Sequence, residues 1–231
     1  MRSPLRCSDG PRLGCRRARP AGSIREDLCA EAIRLARLLA QLMPDEPEVM
    51  GLLGLLLLAQ SRRNARTSPD GALMTLAEQD RALWDRGLIA EGQAIVRACL
   101  RRDQPGPYQV QAAINAVHSD APAAADTDWH QILQLYDQLM VLAPTAVIAL
   151  NRAVAVAEVD GPQAGLAAIE GLDLDSYYLF HAIRADFLRR LQRAADAAQA
   201  YDAAIARAGN AAERSFLPHR RNALWPGTAS S

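Results

Sequence analysis

The stretch Ala182-Ile183-Arg184-Ala185-Asp186-Phe187-Leu188-Arg189-Arg190-Leu191-Gln192-Arg193-Ala194-Ala195-Asp196-Ala197-Ala198-Gln199-Ala200-Tyr201-Asp202-Ala203-Ala204 decides the fold. Two helical periods meet at Leu191-Gln192-Arg193, and Ala182, Ala185, Ala197, Tyr201 and Ala204 recur along them as a series of small residues broken by one aromatic. Small side chains let the two helices of a hairpin approach closely, while a Tyr or Trp fills the wedge between one hairpin and the next. Gln192 stands at the turn, where such a hairpin normally carries glycine.

The same series recurs in two other places. Glu31-Ala32-Ile33, then Pro44, then Gly54 at the close-contact position of the following helix, have the spacing of a tetratricopeptide repeat, and Trp129, Tyr136 and Pro144 give a weaker version. Three matches at compatible spacing predict an all-α chain of stacked antiparallel helical hairpins, a tetratricopeptide-like right-handed solenoid. An irregular helical bundle is the competing architecture.

Working outward, the helical period extends over residues 23–224. A helix opens on Ser23 and Glu26 as a capping box and ends before Pro44, and a second runs from about Glu46 to Ser61. Arg62 to Met74 break the period, and Pro69-Asp70-Gly71 signal a turn of the kind that closes a small hairpin. The period resumes at Thr75 and is expected to run to about Arg102. Further helices are expected over 107–118, 127–143, 144–159, 162–171, 176–191, 193–208 and 211–224. Pro105-Gly106-Pro107 and the alanine and proline loop beyond His118 mark a sub-boundary near 103–126. Residues 1–22, rich in Arg, Pro and Gly, read as a disordered basic arm, and 225–231 as a disordered tail.

Composition excludes several classes. The chain is 50% hydrophobic but only 5% aromatic, so its core is built from Ala, Leu, Ile and Val. Its 26 basic residues, all Arg, balance 26 acidic ones, which leaves no overall bias toward nucleic acid or membrane. The apolar run from Val49 to Ala59 is about half of the roughly 20 residues that a bilayer span needs. Arg16 and Arg17 are followed by no apolar signal region, so a cytoplasmic location is expected. Cys7, Cys15, Cys29 and Cys99 lack zinc-site spacing and read as free thiols. His118, Asp120, Asp126, Asp128 and His130 alternate across helix faces and do not converge on a metal. With no nucleophile triad, phosphate loop or dinucleotide fingerprint, the expectation is neither an enzyme nor a cofactor.

The densest cluster of specific side chains is Thr75-Leu76-Ala77-Glu78-Gln79-Asp80-Arg81-Ala82-Leu83-Trp84-Asp85-Arg86-Gly87. Thr75 and Glu78 read as a capping box for a helix starting here. Two readings stand for Gln79, Asp80, Arg81, Trp84 and Asp85. As a docking site, Trp84 is the aromatic anchor and the charged residues fix orientation. As a junction, Trp84 is core and Arg81 pairs with Asp85 four residues on. Asn151 and Arg152, in an otherwise apolar helix, line a concave groove or are satisfied by a neighbouring helix, and the second is favoured.

Five blocks together carry a resemblance: Arg25 to Leu35, Met43 to Val49, Glu78-Gln79-Asp80-Arg81 with Trp84-Asp85, Gly106-Pro107-Tyr108-Gln109, and Leu150 to Val156. They resemble the tetratricopeptide-like C-terminal extension of extracytoplasmic-function (ECF) RNA polymerase sigma factors, over residues 25 to about 224. The resemblance implies a regulatory, transcription-related protein-protein interaction module. Its implied partners are the sigma core domains or RNA polymerase, or a small DGPF-type, YCII-like protein. The two promoter-reading sigma domains have no counterpart here, so a truncated product or stand-alone extension without specific DNA contact is implied. An independent tetratricopeptide-like scaffold unrelated to transcription is the alternative.

Overall fold

A computed structural model describes residues 21–68, 73–209 and 211–224, the side chains of 21–26, 211 and 212 excepted. Among them the chain is helical. The helices are α1 (Ala21–Leu42), α2 (Pro47–Ser61), α3 (Arg86–Arg102), α4 (Pro107–Asp120), α5 (Trp129–Leu142), α6 (Ala146–Val159), α7 (Pro162–Ala168), α8 (Tyr178–Arg190), α9 (Ala194–Arg207) and α10 (Ala211–Asn222). The expected arm, the Ser23 cap, the Pro69-Asp70-Gly71 turn and the tail fall outside the described residues or side chains.

Each helix packs on the next in chain order, from α1 on α2 to α9 on α10, and α2 also lies along α4. Small residues set these approaches, as the spacing predicted. A β-carbon on Gly54 would stand 3.2 Å from the Ile95 Cγ2 of α3, and one on Gly51 would stand 2.6 Å from the Gln109 backbone nitrogen of α4. In the last hairpin, Ala185, Ala197, Tyr201 and Ala204 are buried together with Leu188 and Leu217, and Ala182 packs against them. Gln192 takes a positive φ of 61° at the turn, the backbone conformation for which glycine is usual.

One expected helix is corrected. Thr75 does not begin α3, which starts eleven residues later at Arg86. Thr75 and Glu78 do pair, the Thr75 amide (3.0 Å) and hydroxyl (2.6 Å) both donating to the Glu78 carboxylate, but no α-helix starts there. The Glu78 and Gln79 amides turn back to the Thr75 carbonyl, closing a local turn. Asp80 and Asp85 then adopt extended backbone, and each caps a helical segment. Asp80 accepts from the Ala82 amide of a short 3-10 turn, Arg81–Leu83, and Asp85 accepts from the Leu88 amide of α3. The segment between α2 and α3 is thus an irregular strap. Among its described residues an antiparallel bridge joins Thr67 to Leu73, with the Met74 amide donating to the Arg66 carbonyl (2.9 Å).

The α4 helix is held at its start by a residue from another helix. Gly106 and Pro107 offer no side-chain acceptor for the first free amides, and Glu48 of α2 fills that role. Its carboxylate accepts from the Tyr108 amide (2.9 Å), the Gln109 amide (3.2 Å) and the Gln109 side chain (3.1 Å). A β-carbon at Gly106 would collide with Glu48 at 2.2 Å, so the carboxylate approach requires glycine there. A negative charge at the positive end of a helix is itself favourable. Replacing Glu48 by Ala leaves these amides without an acceptor and is expected to cost about 1–3 kcal/mol, measured as a shift of the urea midpoint with unchanged slope. Glu48→Gln is expected to recover only part of it.

Candidate interaction site around the strap

The strap between α2 and α3 crosses toward the carboxyl end of α4, and Arg81 fixes it there. The Arg81 Nη1 donates to the carbonyls of His118 (2.6 Å) and Ala121 (2.5 Å), and Nη2 reaches Thr127 Oγ1 at 3.4 Å. The α4 helix ends at Asp120, so a cation here meets unpaired carbonyls at the negative end of the helix dipole. Arg81 is 9% exposed and lies over the Trp84 ring at 4.6 Å, with the Arg62 guanidinium 6.0 Å from the same ring. The expected Arg81–Asp85 pair does not form. Asp85 faces the start of α3, and its amide donates to the Ser61 carbonyl that ends α2 (2.9 Å).

Trp84 is core: it is 3% exposed and packed with Ala65, Leu76 and Ile89. Its Nε1 and the Arg81 Nε are buried with no hydrogen-bond partner among the described residues, and the guanidinium lies over the indole face. Gln79 donates weakly to the Met74 carbonyl at 3.5 Å, while Asp80 is exposed. Of the five residues that the sequence offers as docking site or junction, Arg81, Trp84 and Asp85 hold the strap to its neighbours. Asp80 is the exposed member, and Gln79 is half-buried, its Oε1 buried and unpartnered among the described residues.

Two cations and a histidine share this corner. Arg62 donates to the Asn115 side chain of α4, and burial together with Arg66 and Arg81 pulls its pKa down to about 10. His118 packs edge-on against Trp129, with ring centroids 5.3 Å apart. Burial, then the charges of Arg62 and Arg81, push the His118 imidazole down to about 4, so it is neutral at physiological pH.

Beside the strap runs a groove of about 620 Å³. Glu78 and Arg81 line one wall, His118 and Trp129 one end, and Glu158, Asp186, Arg189, Arg190 and Arg220 the opposite side. Its charges are largely paired: Arg220 with Glu78 (3.0 Å), Arg190 with Glu158 (2.7 Å) and Arg189 with Asp186 (2.7 Å). The first of these pairs ties the strap directly to α10. A more apolar pocket of about 410 Å³ continues from it past Thr75, between Leu73, Leu76 and Gln79 on the strap and Leu179, Phe216 and Leu217 on α8 and α10. Asn151 and Arg152 lie elsewhere. Arg152 pairs with Asp137 of α5 at 2.6 Å, Asn151 is exposed, and their helix reaches the groove through Val154 and Glu158.

Sequence reasoning missed Glu48, His118 and Arg220 as members of this framework. A signal for the first was present: Gly106-Pro107 opens α4 without a local cap, which requires an acceptor from elsewhere. His118 and Arg220 carried none, because their roles arise only when α4, α8 and α10 face the strap.

Residues 13–100 match a family of unknown function, DUF6596. The chain is also similar to an uncharacterized protein of Rhizobium meliloti (strain 1021), with 49% identity over 193 residues, 83% of this chain and 46% of the relative. It therefore spans about half the length of the curated relative it matches. No solved structure matches it.

The depressed His118 pKa couples stability to pH. Its folded value of about 4 lies below the ordinary 6.5, so between these values the unfolded chain binds more protons. Stability is fully present above pH 6.5 and falls as pH drops toward 4, by up to about 3 kcal/mol from this group. Urea titrations at pH 7, 6, 5 and 4 should show this fall. His118→Asn should be less stable at pH 7 and have a flatter profile over the same window.

Proposed function

We propose that this chain is a tetratricopeptide-like solenoid of stacked antiparallel hairpins that serves as the regulatory, protein-binding extension of an ECF sigma factor. The observation that carries the reading is the use made of the resemblance blocks. Glu48, from the block Met43 to Val49, caps the block Gly106 to Gln109, and Arg102 of α3 donates to the Pro44 carbonyl (3.0 Å). Arg81, from a third block, closes the other end of the same helix and lies over Trp84 of that block. Residues that resemble the family in sequence are those that hold the fold together, which is what shared architecture requires.

Two further facts support it. The packing of each helix on its chain neighbours, with α2 also along α4 and α6 also touching α8, is compatible with stacked hairpins. More than half of the Rhizobium meliloti relative lies outside the matched stretch, leaving room for domains that such an extension would regulate. The proposed occupant of the strap groove is a segment of the sigma core or of RNA polymerase, held between Glu78 and Arg81 on the strap and Arg189, Arg190 and Arg220 opposite, with Gln79 in the adjoining apolar pocket. A small DGPF-type partner would use the same face.

The test has two arms. The unmatched part of the relative, made as a separate polypeptide, is titrated with this chain by calorimetry, and a complex of micromolar Kd or tighter is expected. The full-length relative is added to bacterial core RNA polymerase, and promoter-specific transcripts are expected. Absence of both complex and transcripts would overturn the sigma reading in favour of an independent scaffold.

A further inference from the structure

The first helix of the stack carries an apolar face with nothing against it among the described residues. On α1, Ile33 and Ala36 are buried against α2, in a cluster with Leu53 and Leu57. A second stripe points away from that contact: Leu28 is 64% exposed, Leu35 50% and Leu42 71%, with Leu38, Leu39 and Met43 also exposed. Leu28, Leu35 and Leu42 are spaced by seven, so they form one line along the helix, with Leu39 and Ala32 on one flank. The other flank is charged but balanced, because Arg34 holds Glu31 through two hydrogen bonds of 2.7–2.8 Å.

We propose that the occupant of this face is a second copy of the same chain, joined through an antiparallel α1–α1 contact about a twofold axis at Leu35. The stripe is self-complementary in that register. Leu28 falls opposite Leu42 of the second copy, Leu35 meets its own counterpart, and Leu39 sits against the small Ala32. An isologous twofold contact needs this property, and few arbitrary stripes have it. From the exposures above, each copy offers on the order of 500 Å², so a pair covers about 1,000 Å², the lower limit for a specific interface. An interface of that size fits a weak, reversible dimer. The contact lies on the outer side of α1, shares no residue with the strap groove and does not depend on the sigma reading.

Light scattering after size exclusion, run on the full chain from 1 to 100 µM, is expected to show a dimer that dissociates on dilution. The triple variant Leu28→Glu, Leu35→Glu, Leu42→Glu is expected to be monomeric at 100 µM with unchanged helical circular dichroism. Should that variant not fold, a second measurement decides. Leu35→Cys, with Cys7, Cys15 and Cys29 replaced by Ser, should form a disulfide-linked dimer on mild oxidation, while Leu83→Cys in the same background should not. A monomer at 100 µM, which leaves the face to another polypeptide, overturns the proposal. So does a dimer that survives the triple substitution, or an absence of Leu35→Cys cross-linking.

Discussion

The position of α4 depends on two charges brought to its ends by distant parts of the chain. Glu48 sits on its free amides and Arg81 on its free carbonyls, each complementing the sign of the helix dipole at that end. In both places the main partners are backbone groups that only a helix terminus exposes. The consequence reaches beyond α4. Through Glu48 the helix is registered against α2, and through Arg81 it captures a strap that Glu78 in turn ties to Arg220 on α10. One 14-residue helix thereby links the early helices to the last one.

This arrangement also explains the corner's unusual electrostatics. Arg62 and Arg81 flank Trp84, and among the described residues neither forms an ion pair with a carboxylate. Their charge is met by carbonyls, an amide, a hydroxyl and an aromatic face. Burial first, and then the charge of neighbouring arginines, holds His118 neutral and lowers the Arg62 pKa. The corner is specific rather than strong: its geometry admits arginine at position 81 because only a planar, multi-donor cation can bond two carbonyls and stack on indole together.

Much of the helical layout was legible in the sequence. Helices α2 and α4 to α9 lie within a few residues of their expected spans, because proline, glycine and aspartate mark their ends and alanine their contacts. The start of α3 was not legible in the same way. Thr75 and Glu78 carry the signature of a helix start, but the signature specifies a local hydrogen bond that a tight turn satisfies equally well. What separates the two outcomes is Asp80 and Asp85, each a competent cap, placed where a continuous helix would need helical backbone. For the candidate site, the importance of Arg81 and Trp84 was legible and their partners were not. Arg81 bonds residues 37 and 40 positions away, and no local pattern encodes that distance.

Arg81 is the clasp between strap and α4, and hydrogen exchange tests that role most directly. The Met74, Trp84 and Asp85 amides, each hydrogen-bonded to a backbone carbonyl, should exchange slowly in the native chain. In Arg81→Ala they should lose protection, together with the last turn of α4, while α8 and α9 keep theirs. Arg81→Lys should lie close to Arg81→Ala. Unchanged protection of the Met74, Trp84 and Asp85 amides in Arg81→Ala would contradict the clasp.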